Sequence, residues 1–275
     1  MNNVSILKLG QAMAYKKLIY RFKNSIEYEY HHKGKYGKKG EKRQPKKEVT
    51  LEQVAKQNQR NRENRMRRLI KENFEEDDLW VGLQYPKRTR KTLGEVEKDL
   101  QRFLAKMRKA YKKLGIPFKF AIRFDIGKRG GLHVHILFNR EKDGPHPDLL
   151  AKSCWPHGPL NYKTIYEYGG YDKLAKYITK MPDDEILGQI SMFEKKEQKK
   201  LLKYSTSRNL VRPQPEVKTY KNRTVKKLID QGPEATEGYY IDKNSIVQGI
   251  NPYTGMSYLY YIEYRNDLLP WEGVP

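Results

Sequence analysis

Cysteine is nearly absent: the 275-residue chain has one, Cys154. A single thiol excludes an internal disulfide framework, so Cys154 reads as a packing residue in a protein of the reducing cytosol. Long apolar runs are missing too. The mean hydropathy of −0.93 argues against a bilayer-spanning helix. The opening residues lack the apolar centre of a secretory signal, and no lipidation motif or amphipathic anchor replaces it. The chain is therefore expected to be cytoplasmic, with no membrane partner. Acidic residues are also scarce, 33 Asp and Glu facing 56 Lys and Arg for a net charge of +23. Such a surface attracts polyanions, of which nucleic acid is the commonest. No Gly-x-x-x-x-Gly-Lys-Ser/Thr loop is present, so no fused helicase is expected.

What is present centres on Phe118 to Asn139, FKFAIRFDIGKRGGLHVHILFN. Two runs rich in Phe, Ile and Val flank a glycine-rich loop, the pattern of a β-hairpin. Pairing Ile126 with Leu132 sets Asp125 opposite His133, Phe124 opposite Val134 and Arg123 opposite His135. Because side chains alternate along a strand, Ile122, Phe124, Ile126, Leu132, Val134, Ile136 and Phe138 then share one buriable face. The other face gathers Arg123, Asp125, His133 and His135. Two imidazoles and a carboxylate on one rigid surface suit a divalent cation, with positions left open for substrate or water. The competing reading is a pair of ordinary half-exposed strand histidines.

Residues 1–70 carry 19 Lys and Arg against 6 Asp and Glu, so more than half of the net charge sits there. Tyr28 to Lys47 is read as a polar, flexible stretch. From a capping box at Thr50 a basic helix is predicted to about Phe74, with Arg65, Arg67 and Arg68 as contacts to a nucleic-acid backbone. These residues form a basic N-terminal extension, 1–77. The folded domain is expected over 78–182: a strand at Leu79 to Tyr85, a basic loop with Lys87, Arg88, Arg90 and Lys91, and a helix from a capping box at Thr92 to Gly115. The hairpin follows, then a short helix at Pro147 to Trp155, a strand at Leu160 to Tyr166 and a last helix at Tyr171 to Met181. The order β-α-β-β-α-β-α predicts an α+β, ferredoxin-like antiparallel sheet with the hairpin near its centre and helices on one face.

On the last helix Leu174, Ile178 and Met181 form the predicted buried stripe, and Tyr177 lies at its seam with a basic flank holding Lys173 and Lys180. A boundary tyrosine with a wet hydroxyl is common and needs no function. A phenol near a metal site has a specific use, however. Its pKa near 10 makes it a poor nucleophile at neutral pH, neighbouring cations favour the phenolate, and a metal makes a phosphodiester easier to attack. Attack would cut a strand and store the bond as a phosphotyrosine, which can be reversed to rejoin an end.

Gly131-Leu132-His133-Val134-His135-Ile136-Leu137-Phe138 resembles the His-hydrophobic-His motif of the HUH endonucleases, and Tyr177-Ile178-Thr179-Lys180 resembles their Tyr-x-x-Lys motif. Together they are similar to the rolling-circle replication initiators of phages, plasmids and single-stranded DNA viruses, over about residues 78–182. The resemblance implies Mg²⁺ or Mn²⁺ held by His133, His135 and Asp125. It implies a nucleophile in Tyr177, which nicks single-stranded DNA or an origin hairpin and keeps the 5′ phosphate, and a phosphate-positioning role for Lys180. Lys173 stands where some initiators carry a second tyrosine, so a single-tyrosine enzyme is implied, with unwinding left to a host helicase. Arg123, Lys128, Arg129 and Lys173 are further candidate DNA contacts.

Residues 183–275 are read as a charged helix followed by a small β-rich region in which Tyr and Lys interleave; these could stack bases or pack a subdomain. Two rivals share the chemistry, a relaxase and a transposase. A rival of another class is a non-catalytic RNA- or DNA-binding protein, which leaves the Asp125, His133 and His135 group unexplained. A cupin is disfavoured because Glu141 is misplaced for its motif and the helices do not suit a jelly roll.

Overall fold

In the computed structural model, residues 15–32, 50–127, 129–140, 147–166, 170–220, 225–251 and 256–268 are described. The elements run β1 (Tyr15–Arg21), β2 (Ser25–His32), α1 (Leu51–Asn73), β3 (Leu79–Leu83), α2 (Leu93–Lys113), β4 (Phe120–Ile126), β5 (Leu132–Phe138), α3 (Pro147–Cys154), β6 (Leu160–Thr164) and α4 (Gly170–Thr179). They continue with α5 (Asp184–Ser191), α6 (Lys195–Leu201), β7 (Tyr204–Thr206), β8 (Glu216–Tyr220), α7 (Val225–Gln231), β9 (Tyr239–Ile241), β10 (Val247–Asn251) and β11 (Met256–Arg265). The fold is α+β, and among the described residues no helix is long and apolar enough to cross a membrane. Two compact units emerge, residues 51–212 and residues 1–50 with 213–275.

The unit 51–212 is built on an antiparallel sheet in the order β6-β3-β5-β4-β7. Its first four strands have the split βαβ arrangement of a ferredoxin-like sheet, with β5 interior. The hairpin register is the predicted one: Asp125 opposite His133, Arg123 opposite His135 and Ile126 opposite Leu132. Its apolar face, with Ile122, Val134, Ile136 and Phe138, packs under α2 and α3 through Val96, Phe103, Met107, Ala151 and Trp155. Thr92 caps α2 with the expected reciprocal Glu95 bond, and Gly115, at φ +73°, carries the chain out of it.

Helices cover both faces of the sheet, whereas the sequence suggests one. On the metal-site face, Trp80, Ala121 and Leu137 form an apolar patch that needs cover, and α1 and α4 supply it through Met66, Ile70, Phe74, Leu174 and Ile178. Helix α1, expected in a solvated extension, thus joins the unit that holds the hairpin. Met181 falls beyond the end of α4 and is 46% exposed, so the predicted stripe loses its last member. The single charged helix predicted after 183 is two helices, and β7 then returns to pair with β4 at Ala121, Ile122 and Arg123.

In the other unit, Tyr28 and Tyr30 are buried strand residues of β2 rather than part of a flexible stretch. Strands β1 and β2 enter a sheet of order β10-β11-β2-β1-β8, with β9 also against β11. Tyr15, Tyr28, Tyr30 and Tyr261 form its core with Ile19, Ile26 and Leu259. Burial favours the packing reading of these tyrosines over base stacking. The turn expected at Asn251 to Gly255 lies largely outside the described residues.

Met66 is fully buried and Leu51 is 89% exposed on the same helix. Met66→Ala is expected to cost about 2–5 kcal/mol, and Leu51→Ala less than about 0.5 kcal/mol. Urea unfolding followed by the fluorescence of Trp80 and Trp155 measures both; equal small effects would contradict the packing of α1.

Candidate metal and tyrosine site

Three strands and one helix converge on the site. Strand β3 contributes Trp80 and Gly82, β4 contributes Arg123 and Asp125, β5 contributes His133 and His135, and α4 contributes Tyr177. One ligand atom from each of Asp125, His133 and His135 lies within 4.8 Å of the others, close enough to hold one cation. Gly82 pairs with His135, and a Cβ built on it would come 3.5 Å from the imidazole, so the lack of a side chain leaves that ring room. Trp80 stacks flat on His135, with centroids 5.2 Å apart and planes 8° apart, and meets the Tyr177 ring edge-on.

The phenol of Tyr177 donates to Asp125 Oδ2 at 2.7 Å and lies 3.1 Å from His135 Nε2. A candidate nucleophile therefore touches two of the three candidate ligands. Lys180, just past the end of α4, places its Nζ 4.5 Å from the centre of the Tyr177 ring and is otherwise exposed. The brace of this arrangement is Arg123, only 2% exposed. Its Nη1 donates to the Ile178 carbonyl at 2.7 Å and its Nε to Asp125 Oδ1 at 3.2 Å. One guanidinium thus ties the carboxylate to the C-terminal turn of the helix that carries the tyrosine.

The electrostatics differ from the sequence expectation in one respect. The basic flank of α4 suggests a phenol that leans toward phenolate; here the Tyr177 pKa is raised, first by burial and then by Asp125, which accepts its proton and adds negative charge. The cations do not overcome this, because Lys180 sits over the ring face while Asp125 holds the hydroxyl. For Asp125, burial alone would raise the pKa. The Tyr177 hydrogen bond and the charges of Arg123 and His135 outweigh it, and the carboxyl is held below its usual range. His135 is pushed down to about 4, mainly by burial and then by His133, so it stays a neutral ligand well below pH 6. Its Nδ1 is buried without a hydrogen-bond partner.

The candidate DNA contacts divide. Arg129 and Lys173 are exposed, as is Arg65, although its guanidinium turns back onto the Asn61 carbonyl. Arg67, Arg68 and Arg123 are buried and face no solvent. Arg67 is engaged with Asp172 at 3.1 Å, since α1 packs on α4 instead of lying free. Lys128 lies outside the described residues. Sequence reasoning missed Trp80 and Gly82 as parts of the site; their alternation on β3 was visible, but not the register that sets them beside His135. It also left Arg90 as a generic loop cation, yet its guanidinium comes within 3.5 Å of where a Cβ on Gly131 would stand, at the hairpin tip. Tyr171 is buried and offers no second exposed phenol.

Residues 78–182 match the family model for the replication-associated protein ORF2. The match supports a role in replication initiation for this segment. No curated protein and no solved structure matches the chain.

Two outcomes follow from the local physics. Arg123→Leu leaves a buried carboxylate and a helix-end carbonyl without their donor, and is expected to cost about 3–5 kcal/mol; urea titration reads the loss. The folded pKa of His135 lies below its unfolded value of 6.5, so the unfolded chain binds its proton first as pH falls. Its contribution to stability is complete above about pH 6.5 and is lost toward pH 4. His135→Phe should flatten that part of the stability–pH curve; an unchanged curve would remove His135 as its source.

Proposed function

We propose that this protein nicks and rejoins single-stranded DNA through a covalent 5′-phosphotyrosine on Tyr177, in the manner of an HUH replication initiator. The observation that carries the reading is the position of the Tyr177 hydroxyl, 2.7 Å from Asp125 and 3.1 Å from His135. A nucleophile and a three-donor cation site occupy one small patch. Other readings of the patch do not account for both.

The donor set fits a divalent cation. One carboxylate and two imidazoles form a two-His, one-carboxylate triad, His135 is kept neutral, and the mixed N/O set suits Mn²⁺ somewhat better than Mg²⁺. When bound, such an ion supplies Lewis-acid polarisation of a phosphodiester. The chain's own residues do the rest. The Tyr177 oxygen attacks phosphorus, the bond to the 3′ oxygen breaks, and the 5′ phosphate remains on the tyrosine. The proton lost by the phenol is matched by the one the released 3′ hydroxyl takes up, so the step is neutral overall and reversible. Lys180 positions the phosphate over Tyr177, and Lys173 and Arg129 guide the strand on either side. Origin DNA, single-stranded or hairpin, is the proposed substrate, and a host helicase the proposed partner for unwinding.

A relaxase or a transposase would use the same atoms, and the family match favours replication over mobilisation. A binding protein without catalysis leaves the phenol and its ligands without a purpose.

Incubation with labelled single-stranded oligonucleotides and Mn²⁺ is expected to give an adduct that survives denaturation. Tyr177→Phe should abolish it while retaining strand binding, and Lys180→Ala should slow it by about 10–100-fold, within the range of a lost charged contact to the reacting group. His133→Ala with His135→Ala should remove the metal dependence together with the activity. An adduct from Tyr177→Phe, or one undiminished in excess chelator, would discard the respective assignment.

A further inference from the structure

We propose that a second surface of the 51–212 unit, a groove at the β7 edge of its sheet, grips the backbone of the same nucleic-acid strand at a distance from the tyrosine. The groove has a volume of about 830 Å³ and is lined by Arg108, Lys112, Phe118, Phe120, Thr206 and Arg208, among others. It lies toward the opposite end of β4 from Asp125; at roughly 3.3 Å per residue, Phe120 stands about 17 Å along that strand from the carboxylate.

The cations here are arranged for a polyanion. Arg108, Lys112 and Arg208 are all exposed, and among the described residues none of the three is paired with a carboxylate. No acidic residue lines the groove. Elsewhere on the same unit, surface cations do find acids, as Lys91 and Arg102 do on Asp99 and Lys200 on Glu97. Arg108 and Lys112 are one turn apart on α2, where like charges repel and cost the helix a few tenths of a kcal/mol. Nothing within the fold offsets that cost; a phosphate chain would. Arg108 rests on the Phe120 ring, its guanidinium carbon 5.5 Å from the centroid, which directs its donors outward.

The chemistry recognised is the backbone and not the bases. Phe118 and Phe120 are buried beneath the cations, so they are no platform for stacking. Binding should therefore be indifferent to sequence and sensitive to salt. Strand β7 pairs with Arg123 through Tyr204 and reaches the groove through Thr206, so it borders both the site and the groove. A strand passing over this edge could be held on both sides of the scissile phosphate. This inference rests on the proposal that the site acts on single-stranded DNA.

The full chain carrying Arg108→Gln, Lys112→Gln and Arg208→Gln is compared with the unsubstituted protein by the fluorescence anisotropy of a labelled oligo(dT) of roughly 30 nucleotides over a salt series. At roughly 0.7 per phosphate contact on a single strand, the slope of log K against log salt should become shallower by about 2, with binding weaker by roughly tenfold at low salt. Arg108→Lys with Arg208→Lys keeps the charges and should restore the original slope. An unchanged slope and affinity in the triple variant would overturn the proposal and leave an acidic polypeptide as the occupant to consider. The assay reads binding alone. Failure of the nicking chemistry would instead appear as a missing Tyr177 adduct in the unsubstituted protein, so the two results are separable.

Discussion

One buried guanidinium holds the site together. Arg123 is nearly inaccessible, and burying a charge is tolerable only where hydrogen bonds and an opposite charge replace water. It finds both: the Asp125 carboxylate beside it on β4, and the Ile178 carbonyl at the end of α4. That carbonyl is one of those a helix end leaves without a partner, and the negative end of the helix dipole faces the cation. A lysine could not serve both acceptors equally, because the planar fork reaches two directions at fixed geometry. Since Tyr177 adjoins Ile178 in sequence, locking the carbonyl also fixes how far the phenol stands from the sheet.

The hairpin was legible from the sequence because its information is local. Alternating side chains and a glycine-rich turn leave few registers that bury one face and keep the other polar, and the structure adopts the predicted one. The Tyr177 helix was legible for similar reasons. What the sequence obscured was pairing between distant segments. Helix α1 looks like a solvated basic rod because its arginines dominate the pattern, and the sparse stripe of Met66, Leu69, Ile70 and Phe74 acquires meaning only against α4. Strand β7 has three residues, too few for periodicity to register, and β1 and β2 are disguised by lysines among their tyrosines. Arg123 reads as a DNA contact on the sequence because its position on the polar face is correct; its depth depends on the helix that lies over it.

That cover also explains why the phenol is not activated as cations alone would suggest. Placing α4 over the sheet removes water from Tyr177, Asp125 and His135 together. Desolvation favours the neutral phenol and the neutral imidazole, whereas Asp125 stays ionised because Arg123 and Tyr177 both donate to it. The three shifts form one system: a carboxylate kept charged, an imidazole kept neutral and a phenol kept protonated on them.

Such a system has a built-in exchange. Asp125 Oδ2 and His135 Nε2 now face the Tyr177 hydroxyl, and the same residues are candidate donors to a cation. Lone pairs directed at a cation would be lost to the phenol, so the proton-holding contact and the ligand role oppose one another. The burial that raises the Tyr177 pKa acts on a group pinned to its acceptor; once Asp125 is engaged elsewhere, the largest remaining charge near the ring is Lys180, which favours phenolate. An inert resting phenol and a reactive one can therefore be two states of one hydrogen-bond arrangement, with Arg123 fixed in both because neither of its acceptor atoms, Asp125 Oδ1 and the Ile178 carbonyl oxygen, is the one the phenol uses.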